Sequence, residues 1–274
     1  MPESLSRVFV FVFGSIVGSF LNVCIYRLPL EQSVITPRSH CPLCKNTIRW
    51  YDNIPLLSYV FLRGKCRACK GRISIEYPLV ELVTAFCFLF LYSRFSVGFV
   101  FSYYALFICG LIVASFVDIA HRIIPDEISV GGLGAGLLLN ALKGLQVSPF
   151  AYNPAFLIHS FIGAVVGGGI IYLTGFLFDL VYFKLLKKPP VQGETESMGG
   201  GDVKLLAMIG AFLGWQKAVL VFFLAPILGL GVGIFNLLAK KDHTIPYGPF
   251  LSLAALLSIF WADMLLYALV WQWV

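Results

Sequence analysis

An all-α integral membrane protein is the fold class the sequence predicts: about eight transmembrane helices in a bundle, with a small cytoplasmic zinc-binding insertion built on four cysteines. Three observations predict it. Of 274 residues, 59% are hydrophobic and 12% charged, and mean hydropathy is +0.87, whereas soluble domains carry about 25% charged residues. Apolar runs near the length of a membrane-crossing helix recur along the chain. Between the first two of them lies a polar segment with two Cys-x-x-Cys knuckles.

The apolar runs cover residues 5–26, 78–92, 97–117, 128–145, 155–183, 203–214, 218–239 and 247–273. The sixth is too short to span alone, so it extends upstream, tilts, or enters and returns. The first run is expected to be a retained anchor: it carries Glu3 beside Arg7 and has no small-residue cleavage site before Asn22. The expected domains are a first helix (1–26), a loop domain (27–77) and a helical bundle (78–274).

Net charge is +6, and its placement sets the orientation. Loops 27–77, 118–127, 184–202 and 240–244, with Lys204, hold 16 of the 20 Lys and Arg residues. The positive-inside rule places these loops in the cytosol and both termini outside. The same bias accounts for the basic loop without nucleic acid. Pairs such as Gly14/Gly18, Gly132/Gly136, Gly163/Gly167, Gly210/Gly214 and Gly229/Gly233 are spaced for close helix contact. No internal repeat points to a transporter built from duplicated halves.

In the loop, Cys41-Pro-Leu-Cys44 and Cys66-Arg-Ala-Cys69 stand 21 residues apart. Four thiolates at such spacing close a tetrahedral Zn²⁺ site, each knuckle supplying two ligands. Disulfides or redox knuckles are the alternatives, though disulfides rarely persist in the cytosol. Cys24, Cys87 and Cys109 lie in or beside apolar helices and are expected to pack. The stretch Trp50-Tyr-Asp-Asn-Ile-Pro-Leu-Leu-Ser58 is turn-rich and amphipathic, suited to the bilayer surface, with Asp52 stabilising a turn. Glu81 lies inside an apolar run and needs a partner; a basic side chain of the loop is expected.

Two aspartates stand at membrane edges. Asp118 occupies the last apolar turn of the third run, with His121 and Arg122 following and Pro125 ending the helical path. A salt bridge to Arg122 at i+4 is the plain structural role for it, and Asp126 is expected to cap the next helix. Asp202 follows Gly199-Gly-Gly201 where a helix begins, and an N-cap is its plain role. Lys204 could anchor to lipid phosphates. A mixed-charge loop precedes the glycines, and Thr244-Ile-Pro-Tyr-Gly-Pro-Phe250 breaks the chain near the same edge. Gly131-Gly-Leu-Gly134 follows no strand, which excludes a dinucleotide loop.

Together these stretches resemble the type IV prepilin peptidases, bacterial membrane aspartic proteases of the GxGD kind that are usually also N-methyltransferases. The resemblance covers nearly the whole chain: Gly18-Ser-Phe-Leu-Asn22, the paired knuckles with Asn53-Ile-Pro-Leu-Leu-Ser58, and Ile75-Glu-Tyr-Pro-Leu-Val-Glu81. It continues through Asp118 ahead of Ile124-Pro-Asp126, Met198-Gly-Gly-Gly-Asp-Val-Lys-Leu-Leu206, and Ile245-Pro-Tyr-Gly-Pro249. It departs from the family in a longer stretch between the aspartates, around 143–153 and 184–195.

The resemblance implies catalytic roles for Asp118 and Asp202 and metal ligation by Cys41, Cys44, Cys66 and Cys69. It implies prepilin or pseudopilin substrates, cleavage of a short basic leader at the cytoplasmic face of the bacterial inner membrane, and methylation of the new N-terminus by S-adenosylmethionine. The expected chemistry is water activation by two carboxylates that share a proton. The rivals are an ion or small-solute transporter using intramembrane acids and a zinc-bearing membrane scaffold without catalysis.

Overall fold

Helices account for nearly all the regular structure, and their lengths follow the apolar runs. The computed structural model describes residues 3–147, 153–186, 198–238 and 246–271. The mixed-charge loop beyond residue 186 and the 240–244 connection lie outside the described residues. Two compact units divide the chain, Met1–Val117 and Asp118–Val274.

The first unit holds α1 (Glu3–Arg27), α2 (Leu57–Phe61), α3 (Glu76–Phe95) and most of α4 (Phe99–His121). Helices α1 and α3 approach closely because Gly14 and Gly18 carry no side chain. A Cβ on either would come within 2.8 Å of Ala85 Cα or 2.7 Å of Glu81 Cα respectively. Asn22 Nδ2 donates to the Tyr77 carbonyl at 3.0 Å near the end of this contact. At the exit from α1, buried Arg27 donates to the Ser33 and Pro37 carbonyls at 2.8 and 2.7 Å. These bonds fold the start of the polar insertion back over the helix end.

The insertion is built from two matching knuckles, twenty-five residues apart (Cys41 to Cys66). In each, the first cysteine's N–H bonds a carbonyl five residues on, and its carbonyl accepts from a lysine N–H four residues on. Those lysines, Lys45 and Lys70, both take φ +59°. Isolated bridges, His40 with Thr47 and Lys65 with Arg72, close the two turns.

The second unit holds α5 (Asp126–Val147), α6 (Ala155–Asp179), α7 (Gly200–Leu213), α8 (Trp215–Leu238) and α9 (Gly248–Trp271). A single π-helical turn, Leu180–Leu185, extends α6. The centre of the unit is α7, whose Leu205, Leu206, Met208 and Ile209 are all but inaccessible. Gly163 of α6 and Gly210 of α7 meet backbone to backbone, each occupying the space a Cβ on the other would need. Gly132 and Gly136 of α5 pack in turn on Met208 and Phe212. Ser160 Oγ and Asn140 Nδ2 both donate to the Ala211 carbonyl, at 2.7 and 3.1 Å. Gly214, at φ +83°, then ends the helix.

The expected count of eight crossings is neither confirmed nor contradicted. Among the described residues, six helical stretches are long and apolar enough to cross a membrane: Glu3–Leu30, Glu76–Phe95, Phe99–His121, Asp126–Leu145, Ala155–Leu185 and Trp215–Phe235. At 14 residues α7 rises about 21 Å, short of a hydrocarbon core of about 30 Å. Helix α9, Gly248–Trp271, is 24 residues long, a rise of about 36 Å. The chain is a multi-pass membrane protein all the same.

The glycine contacts lead to a paired test. Gly163→Ala forces α6 and α7 apart, whereas Gly169 on the same helix has open space where its Cβ would go. In detergent, Gly163→Ala is expected to lose about 1–3 kcal/mol of stability, read as a lowered Tm, and Gly169→Ala to match or exceed wild type.

Candidate active site and metal centre

Asp118 sits one turn before the end of α4. That helix stops at His121, four residues before Pro125, because Arg122 turns left-handed (φ +57°) and returns its N–H to the Asp118 carbonyl at 2.9 Å. The same turn takes Arg122 off the helical path, so its side chain does not stack over Asp118, and it is exposed. The expected i+4 salt bridge is therefore not among the described ion pairs. Asp118 is 7% exposed, and its Oδ2 accepts a hydrogen bond from the Gly248 N–H at 2.9 Å. Gly248 opens α9, so the partial positive charge of a helix N-terminus faces the carboxylate.

Asp202 is not the helix cap. Gly199 takes the cap position in extended conformation (φ −67°, ψ 135°), and no side chain supplies a capping bond. Asp202 is the third residue of α7, its N–H bonded to the Gly199 carbonyl at 3.1 Å. Its half-buried carboxylate accepts no hydrogen bond from a described residue. Gly201, next to Asp202, and Gly248, which bonds Asp118, both pack on Ile124, so the turns that carry the two acids, 84 positions apart, border the same side chain.

Ile124 fills the space between the helix starts that frame this site. A Cβ on Gly201 would stand 3.2 Å from Ile124 Cβ, and one on Gly248 would stand 3.3 Å from Ile124 Cδ1. Tyr247, beside Gly248, also faces the pair: burial, together with the Asp202 charge, pushes its hydroxyl up to about 12. Sequence reasoning assigned no role to Tyr247 or Gly248. The signal available was the Pro-Tyr-Gly-Pro break at the membrane edge, which identifies a turn but not what the turn faces.

Asp126 and Lys204 change roles. Lys204 Nζ lies 2.6 and 2.9 Å from the two Asp126 carboxylate oxygens, bracing α7 against the start of α5. Both side chains are well exposed, so the pair adds at most about 1 kcal/mol; it orients more than it stabilises. His121 is exposed, and no metal-ligand group of described residues includes it.

The four cysteines of the insertion converge. Their sulfurs lie within 4.8 Å of one another, with Cys41 and Cys69 at 3.9 Å, and none is in a disulfide. A tetrahedral thiolate site with bonds of about 2.3 Å has edges of about 3.8 Å, so the donors fit a metal ion with little movement. Backbone N–H groups of Cys69 and Ala68 favour the thiolate at Cys66, whereas the crowded sulfurs of Cys44, Cys66 and Cys41 oppose it at Cys69, a repulsion a bound cation relieves. Cys24, Cys87 and Cys109 are free thiols within α1, α3 and α4.

Asp52 does more than stabilise a local turn. Arg67, inside the second knuckle, bonds it with both ends of the guanidinium at 2.7–3.1 Å and lies over the Tyr51 ring at 5.5 Å. Glu81 also departs from expectation. Its partner is not a basic side chain but the Leu56 N–H, at 2.8 Å. An unpaired main-chain donor of the insertion thereby satisfies a buried acid.

Residues 12–95 match the family model "Bacterial Peptidase A24 N-terminal domain", and residues 105–234 match "Type IV leader peptidase family". Several curated proteins named prepilin leader peptidase/N-methyltransferase are similar. One from Aeromonas hydrophila is 35% identical over 282 residues, covering 93% of this chain and 90% of the relative. One from Pseudomonas aeruginosa is 35% identical over 280 residues, covering 92% and 89%. One from Myxococcus xanthus is 38% identical over 235 residues; 86% of this chain aligns, with 64% of that longer relative. No solved structure matches significantly.

The Arg67 hydrogen bonds hold the Asp52 carboxyl below the ordinary carboxylate range. The brace therefore adds stability above that range and loses it as the pH falls through the lowered value. Protection of the Trp50–Asn53 amides, relative to the intrinsic exchange rate at each pH, is expected to fall only in acid for wild type, and to be low at every pH for Arg67→Ala.

Proposed function

Because the chain belongs to the type IV leader peptidase family, we propose that it removes the basic leader from type IV prepilins or pseudopilins and methylates the new N-terminus. The observation that carries the peptidase half is the meeting of Asp118 and Asp202, each delivered by a helix end, with the Gly248 N–H on one of them. The methyltransferase half rests on the name the relatives carry. Nothing among the comparisons favours a transporter.

Two carboxylates this close do not both ionise comfortably, so the pair holds one proton. The ionised member takes a proton from a water whose oxygen attacks the scissile carbonyl carbon. The protonated member gives its proton to the carbonyl oxygen, forming a tetrahedral gem-diol. Collapse breaks the C–N bond, the amine leaves with the proton first taken from water, and the other carboxyl recovers its own. Its pKa values belong to the pair. Gly200, with open space where its Cβ would go, leaves backbone free two residues from Asp202 for an extended substrate. S-adenosylmethionine, as donor, would supply the methyl group that the new N-terminal amine receives in exchange for a proton.

The excess of Lys and Arg in the connecting loops supports siting this chemistry at the cytoplasmic face of a bacterial inner membrane, with both termini outside. Zn²⁺ is the metal we assign to Cys41, Cys44, Cys66 and Cys69, on the all-thiolate donor set. Its role is structural: with all four positions taken by protein no open site remains for catalysis.

Purified Asp118→Asn and Asp202→Asn are each expected to lose leader removal by at least about a thousandfold, with unchanged circular dichroism. Cleavage by both variants would remove the pair from the mechanism. Elemental analysis of wild type is expected to find one zinc per chain, and Cys41→Ser or Cys66→Ser to lose it; metal-free wild type from zinc-replete growth would end that assignment.

A further inference from the structure

We infer that residues 50–61 of the insertion form a membrane-seated element whose apolar side chains lie among the lipids of the adjoining leaflet. The inference needs the chain to cross a membrane but does not rest on the peptidase reading.

Depth is the first argument. Leu56 N–H bonds Glu81, five residues inside α3, which is about 7.5 Å along the helix from its start. Residues 53–57 also wall a cleft of about 760 Å³ together with α1 residues as far in as Ser15 and Phe11. Ser15 is twelve residues from the end of α1, or about 18 Å along its axis. The segment therefore runs beside the spans, not beyond their ends. Irregular backbone is tolerated at such depth only when its polar groups are satisfied, and the buried Glu81 carboxylate satisfies Leu56, whose φ is +61°.

Side-chain chemistry is the second. Trp50 and Phe61 are each 81% exposed, and Val60 71%; Leu57 is exposed too. Water would leave these side chains unfavourably solvated, whereas Trp and Tyr favour the headgroup level of a bilayer. Exposed Arg49, Arg63 and Lys65 flank the patch, and the one acid between them, Asp52, is held by Arg67. This basic rim complements anionic lipid headgroups. The patch also continues the exposed apolar face of α1 across the cleft, through Val12, Ile16 and Phe20, so one lipid layer covers both.

The test uses the full chain in nanodiscs of phosphatidylcholine and phosphatidylglycerol. Four of the five tryptophans are replaced by phenylalanine to leave Trp50 alone; a second protein adds Phe61→Trp and Trp50→Phe to that background. Both reporters are expected to emit blue-shifted light, to lose most intensity to phospholipids brominated high on the acyl chain, and to resist iodide. Iodide quenching without bromolipid quenching would overturn the inference in favour of a water-facing surface. Resistance to both quenchers would overturn it too, and protection that rises with protein concentration in detergent would identify a second copy as the cover. Leader cleavage, assayed on the same samples, reports separately on the peptidase.

Discussion

A single backbone hydrogen bond, from the Gly248 N–H to Asp118 Oδ2 at 2.9 Å, holds together chain segments 130 residues apart. It fixes a carboxylate that is otherwise buried, and it does so at the one place where α9 has an unpaired donor to give. A Cβ on Gly248 would lie 2.7 Å from that same oxygen, so glycine is required by the approach itself. The first turn of α9 and the last turn of α4 are thereby committed to one another. Asp202, Ile124 and Tyr247 assemble around that commitment.

The other acid is positioned by packing. Helix α7 is short and almost wholly enclosed, and its contacts with α6 and α5 run through glycines that let backbones touch. A short helix set against longer ones brings its N-terminal turn, and Asp202 with it, to a level fixed by Gly163 and Gly210. Lys204 and Asp126 add a weak outer brace to the same turn.

Much of this was legible in the sequence because it depends on composition or short spacing. Apolar runs located the helices, the Cys-x-x-Cys spacing located the sulfur cluster, and two acids at membrane edges stood out against the cost of placing charge there. The pairs Gly14/Gly18, Gly132/Gly136 and Gly163/Gly167, with Gly210, pointed to close contacts that the structure contains, whereas Gly214 has open space beside it. What could not be read depends on contacts distant along the chain or on backbone atoms. Glu81 finds a main-chain N–H, which no residue pattern encodes. The left-handed turn at Arg122 removed an ion pair that helical spacing had suggested, and an early glycine start to α7 moved Asp202 from the cap to the third position. Helix α7, at 14 residues, is shorter than a full span, because packing against its neighbours, not lipid thickness, sets its length.

The most direct test is the turnover of Gly248→Ala on a purified prepilin. The account predicts that kcat falls by about a hundredfold, as expected for a reacting group displaced by about an ångström, that Tm falls with it, and that KM and circular dichroism stay close to wild type. Wild-type kcat in that variant would contradict it, because Asp118 would then work without the bond said to hold it.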